Sequence, residues 1–121
     1  MWLILLALGR RLLLVTVRGN SMLPTLRDGD RLLVRRNGSK AVRRDALIVL
    51  AYDGQPSGEL MVKRVAAGPG DAVPAGMPVP DSSVPAGQLL VIGDNAAASG
   101  DSRRMGYYAI DSVVGAVVRR I

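Results

Sequence analysis

The chain of 121 residues contains no cysteine, no histidine and no phenylalanine. Without cysteine it has no disulfide, no thiolate nucleophile and no zinc site of the cysteine type. Without histidine it lacks the imidazole that most often acts as a general base, and it lacks the commonest ligand of zinc and iron. We therefore expect neither a metal nor a cofactor. A nucleophilic serine in this chain must find its base among carboxylates, amines or water.

Acidic residues are also few. The chain has sixteen basic and ten acidic residues, which gives a formal net charge of +6, and fourteen of the basic residues are arginine. A basic surface is typical of proteins that meet nucleic acid or an anionic membrane, although arginines on solvated strand faces would produce the same composition. Aromatic residues do not alternate with the basic ones, so binding of single-stranded nucleic acid is not indicated and no nucleic-acid partner is expected.

Long apolar runs are absent as well. Residues 1–8 are apolar, but Gly9, Arg10 and Arg11 end the run. A membrane-spanning helix needs about 20 apolar residues, and the segment also lacks the basic start and the cleavage site of a signal peptide. We interpret residues 1–11 as a short apolar N-terminal segment. It is either a short helix left from a membrane anchor or lying in the membrane interface, or one more core strand or helical turn.

The rest of the chain, residues 12–121, is predicted to form one mainly β domain. Short runs of valine, isoleucine and leucine lie between glycines and prolines, which is typical of strands. The predicted strands are 12–18, 31–36, 46–52, 60–67, 88–92 and 112–119. Asn37-Gly38 indicates a tight hairpin, and 93–106 is predicted to be a long polar turn. Many short strands without helical crossovers favour a coiled or barrel-like antiparallel sheet.

Ser21 follows the first predicted strand, in the turn Gly19-Asn20-Ser21-Met22-Leu23-Pro24. Such a turn exposes a side chain and can aim backbone N–H groups at one point, as an oxyanion hole requires. A serine in a turn is common in any protein, so this position alone predicts no chemistry.

Lys63 lies in the predicted strand 60–67, where Met61 and Val65 share its face because alternate side chains point the same way. If that face turns inward, burial lowers the pKa of the lysine, by up to about 3–5 units when burial is complete. A neutral amine could then accept the proton of a serine, which the neighbouring Arg64 cannot do. An exposed lysine on an edge strand is the alternative. The other lysine, Lys40, is expected to be solvated.

Three segments of the sequence together resemble the motif blocks of the type I signal peptidase family, which are membrane-associated serine–lysine endopeptidases. The segments are Gly19–Leu26, Val62–Val65 with Pro69–Asp71, and Gly93–Asn95 with Ser99–Arg103. They occur in the order and spacing of the family, and the likeness runs from about Val17 to Val118. Larger members carry an extra β domain between the second and third blocks. Only residues 72–92 lie there, so the likeness is to a minimal form.

The resemblance implies roles for the two candidate catalytic residues. Ser21 would be the nucleophile that forms an acyl-enzyme, and Lys63 would be the general base and then the acid toward the leaving amine. The backbone N–H of Ser21 would donate to the oxyanion. Some family members add a second donor from a serine two residues before the nucleophile, and that position is Gly19 here.

The third block supplies the supporting residues that the resemblance implies. Ser99 would hydrogen-bond the lysine and orient it, and Asp101 and Arg103 would form a pair that braces the site. Asp94 and Asn95 belong to the turn that leads into it. A polar loop with a local ion pair is the alternative for this segment.

The function implied is removal of signal peptides or propeptides from secreted precursors that bind in an extended conformation. The expected location is the cell membrane, with the active site on the extracytoplasmic side. A dedicated protease for one precursor, of the type that matures nickel superoxide dismutase, is the close alternative. A self-cleaving repressor domain is less favoured because only twenty residues precede Ser21. A basic membrane- or nucleic-acid-binding module with an inert serine–lysine pair is the non-enzymatic alternative.

Overall fold

The described part of the chain consists of eight strands, connecting loops and very little helix. The computed structural model describes residues 2–7, 11–51 and 60–121. The strands are β1 (Trp2–Ala7), β2 (Leu12–Arg18), β3 (Arg31–Arg35), β4 (Leu47–Ala51), β5 (Leu60–Ala67), β6 (Gln88–Ile92), β7 (Tyr108–Ala109) and β8 (Val113–Arg120). The helix α1 (Ser102–Met105) is one turn long, and short 3-10 turns lie at Gly38–Ala41, Ala96–Ala98 and Ile110–Ser112. The predicted mainly β fold is confirmed.

The strands form one antiparallel sheet in the order β1-β2-β3-β8-β4-β5-β6-β7. The sheet curls until β1 lies against β5, so the coiled, barrel-like arrangement is confirmed. The last strand, β8, inserts between β3 and β4 and joins the two halves of the sheet. This insertion brings β2, which leads into Ser21, and β5, which carries Lys63, into the same curled structure.

The core lies on both faces of the central strands. Inside the curl, buried residues of β2 such as Val15 and Val17 pack with Val62 of β5. On the other face, Met61 and Val65 of β5 pack with buried residues of β4 and β6. β5 is largely buried on both faces, and its apolar run is interrupted only by Lys63 and Arg64. Lys63 is placed in the middle of this run.

Two local predictions were wrong. Residues Trp2–Ala7 form a strand that pairs with β2, so a short N-terminal helix is excluded for this segment and the strand alternative is confirmed. That residues 1–11 are the remnant of a membrane anchor stays a prediction, and residues 8–10 lie outside those described. Asn37-Gly38 does not close a hairpin. Gly38 begins a 3-10 turn, and β3 pairs with β2 and β8 instead of β4.

The long polar turn after β6 contains more structure than the sequence indicated. A 3-10 turn and α1 lie within it, and Asp101 caps α1 by accepting a hydrogen bond from the N–H of Arg103. A helix of four residues is too short to leave a periodic apolar pattern. Tyr52, predicted to end the strand 46–52, lies outside the described residues. Within the part of the chain that the structure describes, no helix is long and apolar enough to span a membrane.

Candidate active site

Ser21 lies in a compact turn that leaves β2 and folds back onto the core. Gly19 begins the turn at a φ of +94°, and its N–H donates to Asp28 Oδ1 over 2.8 Å. The side chains of Met22 and Leu26 are buried in the core cluster, which anchors the turn. As a result Ser21 is only 3 % exposed, so the expectation that the turn presents its side chain to solvent was wrong.

The segment Gly93-Asp94-Asn95 lies directly on the Ser21 turn. The N–H of Asn95 donates to the carbonyl oxygen of Ser21 over 2.8 Å. The side-chain amide of Asn95 donates to the carbonyl oxygen of Asn20 over 3.0 Å, and the N–H of Asp94 contacts Met22 Sδ at 3.4 Å. The segment Gly93–Asn95 and the Ser21 turn are more than seventy positions apart in the chain, and these contacts hold them together.

Lys63 is buried in β5 with 2 % of its surface exposed. Its Nζ donates to Ser99 Oγ over 2.9 Å. Burial lowers the pKa of the Lys63 ammonium, because a charged amine loses hydration in the interior. The negative charge of Asp101 raises the pKa of Lys63 in part, and the positive charge of Arg103 lowers it further. The prediction that the face of Lys63 turns inward is confirmed.

Ser99, Asp101 and Arg103 form one hydrogen-bonded chain that ends on Lys63. Ser99 Oγ accepts from Lys63 and donates to Asp101 Oδ2 over 2.7 Å. Asp101 is fully buried, and it also accepts from the N–H of Gly93 at 2.8 Å and from Arg103 Nε at 3.0 Å. Burial alone would raise the pKa of Asp101, but the hydrogen bonds from Arg103, Gly93 and Ser99 outweigh it and hold that pKa well below its usual range. Asp101 is therefore a carboxylate at neutral pH.

Gly93 lies between the turn that carries Ser21 and the hydrogen-bonded residues Ser99, Asp101 and Arg103. A Cβ atom built on it would stand 2.1 Å from Ser99 Oγ and 2.8 Å from the carbonyl oxygen of Ser21. Arg103 Nη2 donates to the carbonyl oxygen of Gly93 over 2.9 Å, which fixes the segment from the other side. A residue without a side chain is required here because the lysine-binding serine and the Ser21 turn both approach the backbone of residue 93.

Two residues of the site, Arg64 and Thr25, were not predicted from the sequence to belong to it. Arg64 grips Asp94 with two hydrogen bonds, from Nε to Oδ1 at 2.9 Å and from Nη2 to Oδ2 at 2.8 Å. Thr25 Oγ1 donates to the same carboxylate. Hydrogen bonds from Arg64 lower the pKa of Asp94, burial opposes them, and the bond from Thr25 lowers it further. Asp94 thus connects β5, next to Lys63, with the turn that carries Ser21. The sequence feature that could have indicated this ion pair is the opposite charge of Arg64 and Asp94, which lie in two successive motif blocks.

The assembled residues offer a definite chemistry. A buried amine with a lowered pKa is held by a serine hydroxyl, and the backbone of a second serine lies against the same segment, Gly93–Asn95. An amine with a lowered pKa loses its proton more readily and can act as the base for a hydroxyl nucleophile, which is one of the known ways to activate serine without imidazole.

Comparisons with known proteins point to peptidases. The profile of the family described as "Peptidase S24-like" matches residues 3–74, which include Ser21 and Lys63. The profile of the family described as "Signal peptidase, peptidase S26" matches residues 75–121, which include Ser99, Asp101 and Arg103. A "Probable signal peptidase I-1" of Synechocystis sp. is 30 % identical over 128 residues, an alignment that covers 82 % of this chain. The alignment covers 65 % of the length of that relative.

Proposed function

Because the chain belongs to the type I signal peptidase-like family, we propose that it is a serine endopeptidase that removes signal peptides or propeptides from secreted precursor proteins. The observation that carries the proposal is the buried amine of Lys63, whose pKa burial lowers and whose Nζ is held 2.9 Å from Ser99 Oγ. Burial disfavours the charged form of this amine, and the chain has no imidazole that could act as the base in its place.

In the proposed reaction the hydroxyl of Ser21 attacks the carbonyl carbon of the scissile peptide bond. The neutral amine of Lys63 takes the hydroxyl proton as the new C–O bond forms. One N–H of that amine is committed to Ser99, which orients the nitrogen lone pair away from Ser99. The resulting ammonium then gives its proton to the leaving amine, and an acyl-enzyme on Ser21 remains. Water, deprotonated by Lys63 in the same way, hydrolyses the ester.

Asp101 and Arg103 adjust how readily Lys63 changes charge. The Asp101 carboxylate favours the ammonium that forms during attack, and it acts through the hydroxyl of Ser99. Arg103 neutralises part of that carboxylate, and its positive charge lowers the pKa of Lys63. In our proposal Asp101 and Arg103 are positioning residues, since each acts on the reacting atoms through Lys63 or Ser99.

The oxyanion of the tetrahedral intermediate would receive a hydrogen bond from the backbone N–H of Ser21. The N–H of Gly19 donates to Asp28 Oδ1, and glycine has no side chain, so we do not assign the second donor to that residue. The substrate is a precursor segment in an extended conformation, and the enzyme is associated with the cell membrane with its site on the extracytoplasmic side.

The test uses the full chain and a panel of precursor proteins with their isolated cleavage-site peptides. Ser21→Ala and Lys63→Ala should each reduce cleavage by at least about 1,000-fold, and Lys63→Arg should not restore it because a guanidinium does not lose its proton. Ser82→Ala, an exposed serine on the loop before β6, is the matched control and should cleave like the parent. Unchanged cleavage by folded Ser21→Ala or Lys63→Ala would contradict the proposal. Cleavage of one precursor in the panel, with no activity on the others, would favour the dedicated maturation protease.

A further inference from the structure

A cavity of about 790 Å³ opens at the end of β2 that is opposite to Ser21. The residues that line it are Arg11, Leu12, Arg35, Arg36, Asn37 and Lys40. A strand of seven residues separates this cavity from the Ser21 turn, which corresponds to about 23 Å. Its volume lies in the range of small-ligand sites, roughly 300–1,000 Å³. The cavity is therefore a separate site, and nothing in the proposed peptidase reaction uses it.

Four of the lining side chains carry positive charge, and the described lining includes no acidic one. Among the residues that the structure describes, Arg11, Arg35, Arg36 and Lys40 form no ion pair. Like charges held around one cavity repel one another, and a bound anion removes that repulsion. The planar fork of arginine matches the oxygens of a phosphate group, which two arginines can bind with paired hydrogen bonds.

The backbone holds the lining segments in place without any ligand. Leu12 pairs with Arg35 across β2 and β3, and the N–H of Arg36 donates to the carbonyl oxygen of Arg11 over 2.8 Å. Asn37 Oδ1 accepts from the N–H of Ala116 on β8 over 3.2 Å, so the amide group that Asn37 can offer to a ligand is a donor. A site whose backbone is already ordered loses little conformational freedom when it binds.

The exposed side chain of Leu12 favours a lipid over a small soluble anion as the ligand of this cavity. It is 36 % exposed, although it is a large apolar residue, and it stands beside the four cations. Cationic side chains next to an exposed apolar one match the boundary between the phosphate groups and the acyl chains of an anionic membrane. We propose that this cavity binds the phosphate group of an anionic phospholipid headgroup. The proposal deepens the membrane association proposed above and is independent of the peptidase chemistry.

The experiment measures binding of the full chain to vesicles in the absence of any peptide. Vesicles of phosphatidylcholine with phosphatidylglycerol are compared with vesicles of phosphatidylcholine alone. The test variant is Arg35→Gln with Lys40→Gln, which leaves Arg36 in place because Arg36 also lines a neighbouring cavity with Asp111. The matched control is Arg31→Gln with Arg119→Gln, which removes the same charge from exposed arginines outside the cavity lining.

The parent chain should bind the anionic vesicles and not the neutral ones, and the test variant should bind about 25-fold more weakly, at about fivefold for each cation removed. The control should bind within about twofold of the parent, since its charges lie outside the cavity. Equal losses in both variants would mean diffuse attraction to the surface and would overturn the proposal.

Two further arms identify the source of the phosphate. Inorganic phosphate should release the parent chain from vesicles only at high concentration, whereas tight binding of inorganic phosphate without vesicle binding would overturn the lipid assignment. Binding of a short DNA duplex that is lost in the test variant, with vesicle binding unchanged, would overturn it too. Because no peptide is present, these outcomes hold whether or not the chain cleaves precursors.

Discussion

Replacing Gly93 with alanine disturbs the candidate site without removing any of its functional groups. The added Cβ would stand 2.1 Å from Ser99 Oγ, whereas ordinary contacts begin at 3.4 Å, so the oxygen must move by about 1.3 Å. The same Cβ would stand 2.8 Å from the carbonyl oxygen of Ser21, a backbone atom that cannot turn aside as a side chain can. The displacement would break or weaken the 2.9 Å hydrogen bond that Ser99 accepts from Lys63.

Two separate effects follow from this displacement, one on stability and one on the rate. Overpacking of a buried position lowers the free energy of unfolding by about 1–3 kcal/mol, which a folded domain can tolerate. A shift of about 1 Å in a group that positions the base can reduce the rate about 100-fold. We therefore expect Gly93→Ala to remain folded, with a free energy of unfolding lowered by about 1–3 kcal/mol, and to lose about 100-fold in kcat/KM.

The assay combines initial rates on a fluorogenic precursor peptide with urea unfolding followed by circular dichroism. Gly100→Ala is the matched control, because no atom lies within 4 Å of a Cβ at that position and its φ is not in the left-handed region. The control should match the parent in both measurements. A folded Gly93→Ala variant with the kcat/KM of the parent would refute the reasoning, since the placement of Ser99 would then be irrelevant to Lys63.

Further predictions concern the charges around the site. The value of kcat/KM should rise with pH through one ionisation below about 10.4, because burial lowers the pKa of Lys63 and only the neutral amine is a base; a rate that is unchanged from about pH 6 to about pH 10 would contradict this role. In Asp101→Asn the midpoint of that profile should move to lower pH, since the carboxylate that raises the pKa of Lys63 is lost, and a pH–rate titration of both proteins measures the shift. Asp94→Asn should lower the free energy of unfolding in urea by about 1–3 kcal/mol, because it weakens the paired hydrogen bonds with Arg64, while the exposed control Asp111→Asn should unfold like the parent.

Three strands, β2, β5 and β6, have the first and last residues that the sequence predicted. β2, β5 and β6 are mostly apolar segments that each end directly before a glycine, so their bounds could be predicted from the sequence. β1 is different, because six consecutive apolar residues carry no period that separates strand from helix. Its pairing with β2 decided the outcome.

The error at Asn37-Gly38 has a long-range cause. These residues favour a hairpin between consecutive strands, but β8 takes the place beside β3 and Ala116 donates to the side chain of Asn37. A turn signal covers about four residues, whereas the competing strand comes from the other end of the chain. Local turn preferences are weak compared with the hydrogen bonds of a complete strand pair, so the tertiary arrangement prevailed.

By itself, the sequence determined which chemistry is possible. In a chain without histidine and cysteine, a nucleophilic serine must find its base among carboxylates, amines or water, and Lys63 is the lysine predicted to lie in a strand between apolar neighbours. Only the tertiary structure decided that the Lys63 amine is buried and held by Ser99, that Ser21 is covered by the segment Gly93–Asn95, and that Arg64 joins the site through Asp94. Residue types follow directly from the sequence, but pKa values and atomic distances depend on solvent exclusion and on contacts between residues far apart in the chain. These long-range contacts require the complete sheet, in which β8 joins the two halves.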